Sequence, residues 1–219
     1  MKRSIWSLGA GLLLIGAIFW IAWMATSGPI TLGGFSVDFS SSARNDDPLP
    51  MNQAIDAVEA YLGQLDDGNL ALSELMQFDN HFYATIKELD SGLYAFELLV
   101  DPITGQVVPE PGPNMMWNKK YGHMSMGVMK HVFGQDQADG MAIDSEKARE
   151  IAHQFLSQIS PNAVVSGQVN RFYGYYTLFI LKNHRLIGML SVNDYDGRVW
   201  LHSWHGAFLD MYQQSELNY

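Results

Sequence analysis

The sequence predicts an α+β protein: an N-terminal transmembrane helix followed by two tandem units, each a helix leading into an antiparallel sheet. Three observations predict it. Residues Ile5 to Met24 run without a charge, apolar residues at helical spacing twice precede alternating apolar runs, and the stretch Phe96 to Val108 (FELLVDPITGQVV) returns at Met189 to Leu201 (MLSVNDYDGRVWL). In each copy of that stretch an apolar run reaches an Asp/Asn-rich turn, closes on a glycine (Gly105, Gly197) and leaves through valine. This is the pattern of a β-hairpin, because Asp101 and Pro102 suit the opening of a turn and glycine takes the left-handed conformation that closes it.

The N-terminal run follows Lys2 and Arg3. At ~1.5 Å per residue, about twenty residues make a helix of about 30 Å, enough to cross a bilayer core. A cleaved signal peptide is the rival, with Ala25, Thr26, Ser27 and Gly28 as small residues at its end. Signal apolar cores usually run ~7–15 residues. This run is longer and carries Trp6, Trp20 and Trp23 near its two ends, as interfacial anchors do. Residues 1–26 are therefore expected to be a cytoplasmic start and membrane anchor, with the C-terminal part extracytoplasmic in a single-pass, N-in arrangement.

Beyond the anchor, 11 Lys and Arg stand against 23 Asp and Glu, a formal charge of −12. Such a surface repels phosphate backbones, which argues against a nucleic-acid partner, and it keeps an extracytoplasmic domain soluble. There is no cysteine, which excludes disulfides, thiolate metal sites and a cysteine nucleophile.

Residues 27–50, rich in Gly, Ser, Pro and charge, read as a linker, with a short strand possible in composition at Phe35 to Phe39. The first unit is expected over 51–109. Ile55, Val58, Leu62 and Leu65 give one helical face, Leu72 to Phe78 an edge strand, and His81 to Leu89 an alternating strand that leads into the hairpin. The second unit is expected over 144–206. Asp144 is its N-cap, Ala148, Ile151, Ala152, Phe155 and Ile159 its helical face, and Val164 to Val169, Phe172 to Leu181 and Leu186 to Val192 its strands, with a turn at Asn183 and His184. Gln77 to Tyr83 matches Gln168 to Tyr173, each ending in Phe-Tyr, and the separation between the units is about 92 residues. Residues 207–219 form a C-terminal tail, read as a short amphipathic helix through Phe208, Leu209 and Tyr212.

The first hairpin, Val100-Asp101-Pro102-Ile103-Thr104-Gly105-Gln106-Val107, resembles the characteristic hairpin of the PepSY domain family: an apolar strand into Val-Asp, a Thr-Gly turn and a returning valine. The second copy, Val192 to Val199, departs from it at Asn193 and Asp196. The resemblance covers roughly 51–109 and 144–201. It implies non-catalytic modules that run from a helix into an antiparallel sheet, with a protein partner, and a role in restraining or localising a peptidase.

The insertion 110–143 is unexplained by the repeat. Six of the twelve methionines fall between Met115 and Met141, and His123, Met124, Met126, Met129 and His131 form a candidate metal site. Thioethers and imidazoles suit Cu(I), so an extracytoplasmic Cu(I)-binding protein is the alternative reading; packing by adaptable methionines is the competing account, under which there is no cofactor. Trp117, Tyr121, Lys119 and Lys120 read either as a partner surface or as aromatics covering the first sheet with solvated lysines.

Catalytic patterns fail. Gly122 to Gly127 places two residues between glycine and serine where a nucleophile elbow has one. There is no HExxH, and His202 and His205, three apart at a strand end, read as interfacial or capping residues. Asp194 to Gly197 is explained by a turn rather than a calcium loop. Glu88, Asp90 and Glu97 read as exposed strand or turn carboxylates. The expectation is a non-enzymatic binding or regulatory module held in the membrane.

Overall fold

The structure is a computed structural model that describes residues 47–65, 67–122 and 143–213. The expected anchor and most of the linker lie outside those residues. So does the whole candidate copper set His123, Met124, Met126, Met129 and His131. Among the described residues no helix is long and apolar enough to cross a membrane.

Helix α1 (Met51–Gln64) leads into β1 (Leu70–Phe78), β2 (Phe82–Glu88), β3 (Tyr94–Val100) and β4 (Val107–Pro109). A one-turn helix α2 (Pro113–Met116) follows. Helix α3 (Ser145–Ile159) then leads into β5 (Val164–Phe172), β6 (Tyr175–Lys182), β7 (Arg185–Asn193) and β8 (Val199–Leu201), and β9 (Phe208–Gln213) ends the described chain. The strands form one mixed sheet in the order β8-β7-β6-β5-β3-β2-β1-β9, with β4 paired to β3. All pairings are antiparallel except β3 with β5, which meet at Tyr94 and Phe172.

Both hairpins close as the turn chemistry demands. Gly105 and Gly197 sit at φ 69° and 71°, and each donates its N–H back to the residue that opens the turn, Asp101 or Asn193. Asp144 caps α3 by accepting from Lys147 N at 2.8 Å. Asn183 and His184 both take positive φ in the β6–β7 turn.

Several expected details differ. The buried helical stripes are Ala54, Val58 and Leu62 in α1 and Ala148, Ala152 and Leu156 in α3; Ile55, Ile151 and Phe155 sit at their margins, and Leu65 and Ile159 are exposed. Small alanines lie where the helix axis runs closest to the sheet, and larger residues fill the flanks. The break between the first two strands of the second unit falls at Tyr173 and Gly174, with Gly174 at φ 105°, so β5 runs on to Phe172. Phe208–Gln213 of the tail is a strand rather than a helix. Six residues supply little helical cooperativity, whereas β1 offers an edge of unpaired backbone groups that β9 satisfies from Glu74 to Phe78. For the same reason β1 is not an edge strand.

The alternation in the strands sorts two layers. Phe82, Ala84, Ile86, Phe96, Leu98 and Val100 pack with α1, and Tyr176, Leu178, Ile180, Leu190 and Val192 pack with α3. The opposite faces are buried too: Tyr83, Thr85, Glu97, Tyr175, Thr177 and Ser191 are all at most 1% exposed. Thr177 Oγ1 donates to Glu97 Oε1 at 2.9 Å although β5 lies between their strands, and Gln168 Nε2 of β5 donates to Glu74 Oε1 of β1 at 2.8 Å. Neighbouring strands are ~4.8 Å apart, so such contacts are out of reach across a flat sheet. The sheet therefore folds back at the β3–β5 joint and brings its two inner faces together.

Candidate functional site

The inner layer is polar where a core is usually apolar. Glu97 sits at its centre: Tyr83 OH donates to Oε1 at 2.6 Å, Thr177 Oγ1 to the same oxygen, and Tyr175 OH to Oε2 at 2.8 Å. From Thr177 the contacts continue to Ser191 Oγ at 2.9 Å and on to His202 Nε2 at 2.9 Å. The backbone of β3 beside Glu97 is covered by side chains. Asn114 accepts from Glu97 N and donates to Glu97 O, and Asn118 Nδ2 donates to Ala95 O at 2.7 Å. Amide side chains thus complete a strand edge that no further strand pairs.

Glu110 lies one residue past β4, and its N–H donates to Glu97 O; His202 lies one residue past β8, and its N–H donates to Met189 O. The two are 92 residues apart, the same separation as Gly105 and Gly197. The fold-back brings them together. His202 Nδ1 is 3.3 Å and His205 Nε2 3.1 Å from Glu110 Oε1, and all three side chains are at most 1% exposed. Trp204 Nε1 donates to the same oxygen at 3.0 Å, and His81 Nε2 and His205 Nδ1 share a hydrogen bond of 2.6 Å.

The loop 202–207 is pinned by the β1–β2 turn. Asn80 donates to Trp204 O and accepts from Gly206 N, while Asp79 N donates to Ala207 O and its carboxylate accepts from Ala207 N. His205 stacks on Phe78 at 4.7 Å between ring centroids, and His202 stacks on Trp204 at 4.7 Å.

Although His202 and His205 approach Glu110 to ion-pair distance, neither contact has full hydrogen-bond geometry. Among the described residues Glu110 Oε2 finds no N–H or hydroxyl donor, although the carboxyls of Glu97 and Glu110 lie within side-chain hydrogen-bond reach of each other. A buried polar atom left in that condition costs about 1–3 kcal/mol, so two ring nitrogens beside one buried carboxylate call for an explanation. Glu110, His202 and His205 each present a ligand-type atom, and these lie within 4.8 Å of one another.

Burial raises the carboxyls of both Glu97 and Glu110, but the outcomes diverge. Glu97, with the Glu110 charge beside it, goes well above the usual range; Glu110 is held well below it by His202 and His205. The two carboxyls are thus pushed in opposite directions. Burial lowers His205, and burial together with His205 lowers His81 to about 3, so both imidazoles are neutral.

A second cluster surrounds Glu88, which is buried rather than exposed as the strand pattern suggested. Lys120 Nζ and Tyr121 OH donate to its Oε1 at 2.6 Å each, and Ser91 and Tyr173 donate to Oε2. Lys119 pairs with both oxygens of Asp194 at 2.8 and 2.9 Å. The two lysines are thus paired, not simply solvated. Trp117 packs edge-on against Trp200, and Tyr121 packs on Phe96.

Sequence reasoning placed the metal candidates in the insertion and passed over Glu110, His202 and His205 except for the weak three-residue histidine spacing. The signal available was the repeat itself: the 92-residue separation that pairs the hairpin glycines also carries Glu110 onto His202.

No protein-family model matches the chain, and no curated protein does. The solved structure of the Bacillus megaterium YpeB C-terminal domain is similar to it at 11% identity and a TM-score of 0.25, covering 70% of this chain. The match spans 62% of that chain, less than two thirds of its length.

Proposed function

We propose that the chain is a non-enzymatic, membrane-anchored extracytoplasmic module built from two PepSY-like units, which binds and restrains or localises another envelope protein, a peptidase being the class the resemblance implies. The anchor and orientation rest on Lys2, Arg3 and the apolar run that follows. The observation that carries a binding role is β9. Among the described residues it pairs on one side only, with β1, and it exposes Leu209, Met211 and Tyr212. An open edge strand with apolar side chains can take up an extended segment of a partner by strand addition.

The test is photocrosslinking in intact membranes from positions 209 and 211. A discrete adduct with one envelope protein, with the adduct from position 209 abolished by Met211→Pro, is the expected result. Absence of any specific adduct, or adducts indifferent to the proline, sinks the reading. If the adduct is a peptidase, its activity should change when the module is removed. The Cu(I) alternative through His123, Met124, Met126, Met129 and His131 rests on the sequence, and a Cu(I) competition titration of the chain with Met124, Met126 and Met129 changed to leucine addresses it separately.

A further inference from the structure

We propose that Glu110, His202 and His205 form a binding site for one divalent transition-metal ion of the zinc class, which ties the two units together where equivalent hairpin ends meet. The inference is independent of the partner-binding role.

Four observations carry it. The donor set, two imidazoles and a carboxylate, is one that Zn²⁺ accepts. Both distances to the carboxylate fit: with metal–ligand bonds of ~2.0–2.1 Å, donors at tetrahedral angles lie about 3.3 Å apart, and His202 Nδ1 and His205 Nε2 stand 3.3 and 3.1 Å from Glu110 Oε1, with all three ligand atoms within 4.8 Å of one another. The two histidines hold the buried atoms His202 Nδ1 and His205 Nε2, which find no hydrogen bond among the described residues. An ion bound through Glu110 Oε1 would engage both.

The fourth observation is the outer shell. Ligating histidines commonly engage their second ring nitrogen in a hydrogen bond that fixes the ring. His202 does so through Nε2 to Ser191 Oγ, and His205 through Nδ1 to His81 Nε2. Trp204 Nε1 holds the carboxylate from outside.

A cluster held by hydrogen bonds alone is the competing account. It would close both ring nitrogens onto Glu110 with good hydrogen-bond geometry, and neither contact reaches it.

The experiment uses the full-length chain in detergent, stripped with chelator and titrated with Zn²⁺ against a chromophoric competitor, with Co²⁺ as the spectroscopic probe. Expected are one ion per chain, the intense visible d–d absorption of four- or five-coordinate Co²⁺, and a rise in thermal unfolding temperature on adding Zn²⁺. Glu110→Gln and His205→Gln should weaken binding by more than the ~10–100-fold typical of losing an outer-shell partner, and Ser191→Ala should fall within that range. His123→Gln with His131→Gln should leave binding unchanged. If the ligand variants do not fold, the Co²⁺ spectrum of the unaltered protein and the Ser191→Ala variant still decide. No retained ion, a weakly absorbing six-coordinate Co²⁺ spectrum, or binding that is lost with His123 and His131 but not with Glu110 overturns the proposal.

Discussion

Glu110 and His202 occupy the same place in two copies of one hairpin, one residue beyond the returning strand, and they meet at 3.3 Å. Each is tied by its own N–H to the strand it follows, so their approach is set by how the two half-sheets fold together rather than by flexible side chains. The inner polar layer is what holds that fold-back, and most of the expectations below test it.

Tyr175→Phe removes the one hydroxyl donor to Glu97 Oε2 while keeping the ring that stacks on Phe172. Leaving a buried acceptor short of its donor should cost about 1–3 kcal/mol in urea unfolding. Tyr173→Phe should cost less, because Ser91 still donates to the same Glu88 oxygen. Equal losses at the two tyrosines would refute the central role given to Glu97.

The hairpin glycines give a graded series. With φ of 69° and 71°, alanine at either Gly105 or Gly197 should cost about 1–2 kcal/mol from the backbone. Gly197→Ala should be the worse of the two, since its methyl would lie 3.0 and 3.1 Å from Ile151 and Ile143, against 3.2 Å from Leu49 at Gly105. Gly63→Ala, in helix α1 with open space around it, should raise stability by about 0.4–1 kcal/mol. Chemical denaturation of the three variants checks the order.

Acid stability should report Glu88. Burial raises its carboxyl, but the hydrogen bonds from Lys120, Ser91, Tyr121 and Tyr173 outweigh that and hold it at about 2, below its ordinary 4.5. A depressed carboxyl contributes stability that is present in full above the unfolded value and disappears as pH falls through the folded one. The stability gap between the unaltered chain and Glu88→Gln should therefore be largest above pH 4.5 and close as pH falls toward 2. Because Lys120 is half exposed, solvent screening keeps its share small. A gap that persists unchanged at pH 2 would contradict this account.

Removing residues 208–213 uncovers β1 along Glu74 to Phe78. An exposed edge of that length invites pairing with another chain. Light scattering of the shortened protein should register larger species than the intact one under the same conditions; no change in mass would mean that β9 does not protect the edge.

The hairpins, both long helices and the strand order along each unit were legible because each is dictated locally. A positive-φ glycine, an Asp cap and a two- or four-residue apolar period need no knowledge of distant residues. The inner layer was not legible, since Tyr83, Thr85, Tyr175 and Thr177 alternate with apolar residues as solvent-facing side chains would. Only the fold-back buries them. The Phe-Tyr match also misled: it sets Tyr83 against Tyr173, whereas both tyrosines that reach Glu97, Tyr83 and Tyr175, lie 92 residues apart. With that register the link from Glu110 to His202 follows; with the other it is hidden.

One consequence belongs to the duplication itself. Had two separate copies of a single unit associated about a two-fold axis, any residue beside the axis would face its twin, so carboxylate would confront carboxylate or imidazole would confront imidazole. Writing both copies on one chain lifts that restriction. Opposite members of the pair are free to differ, and here an acid stands against a base at a meeting point that a homodimer could furnish only with like partners.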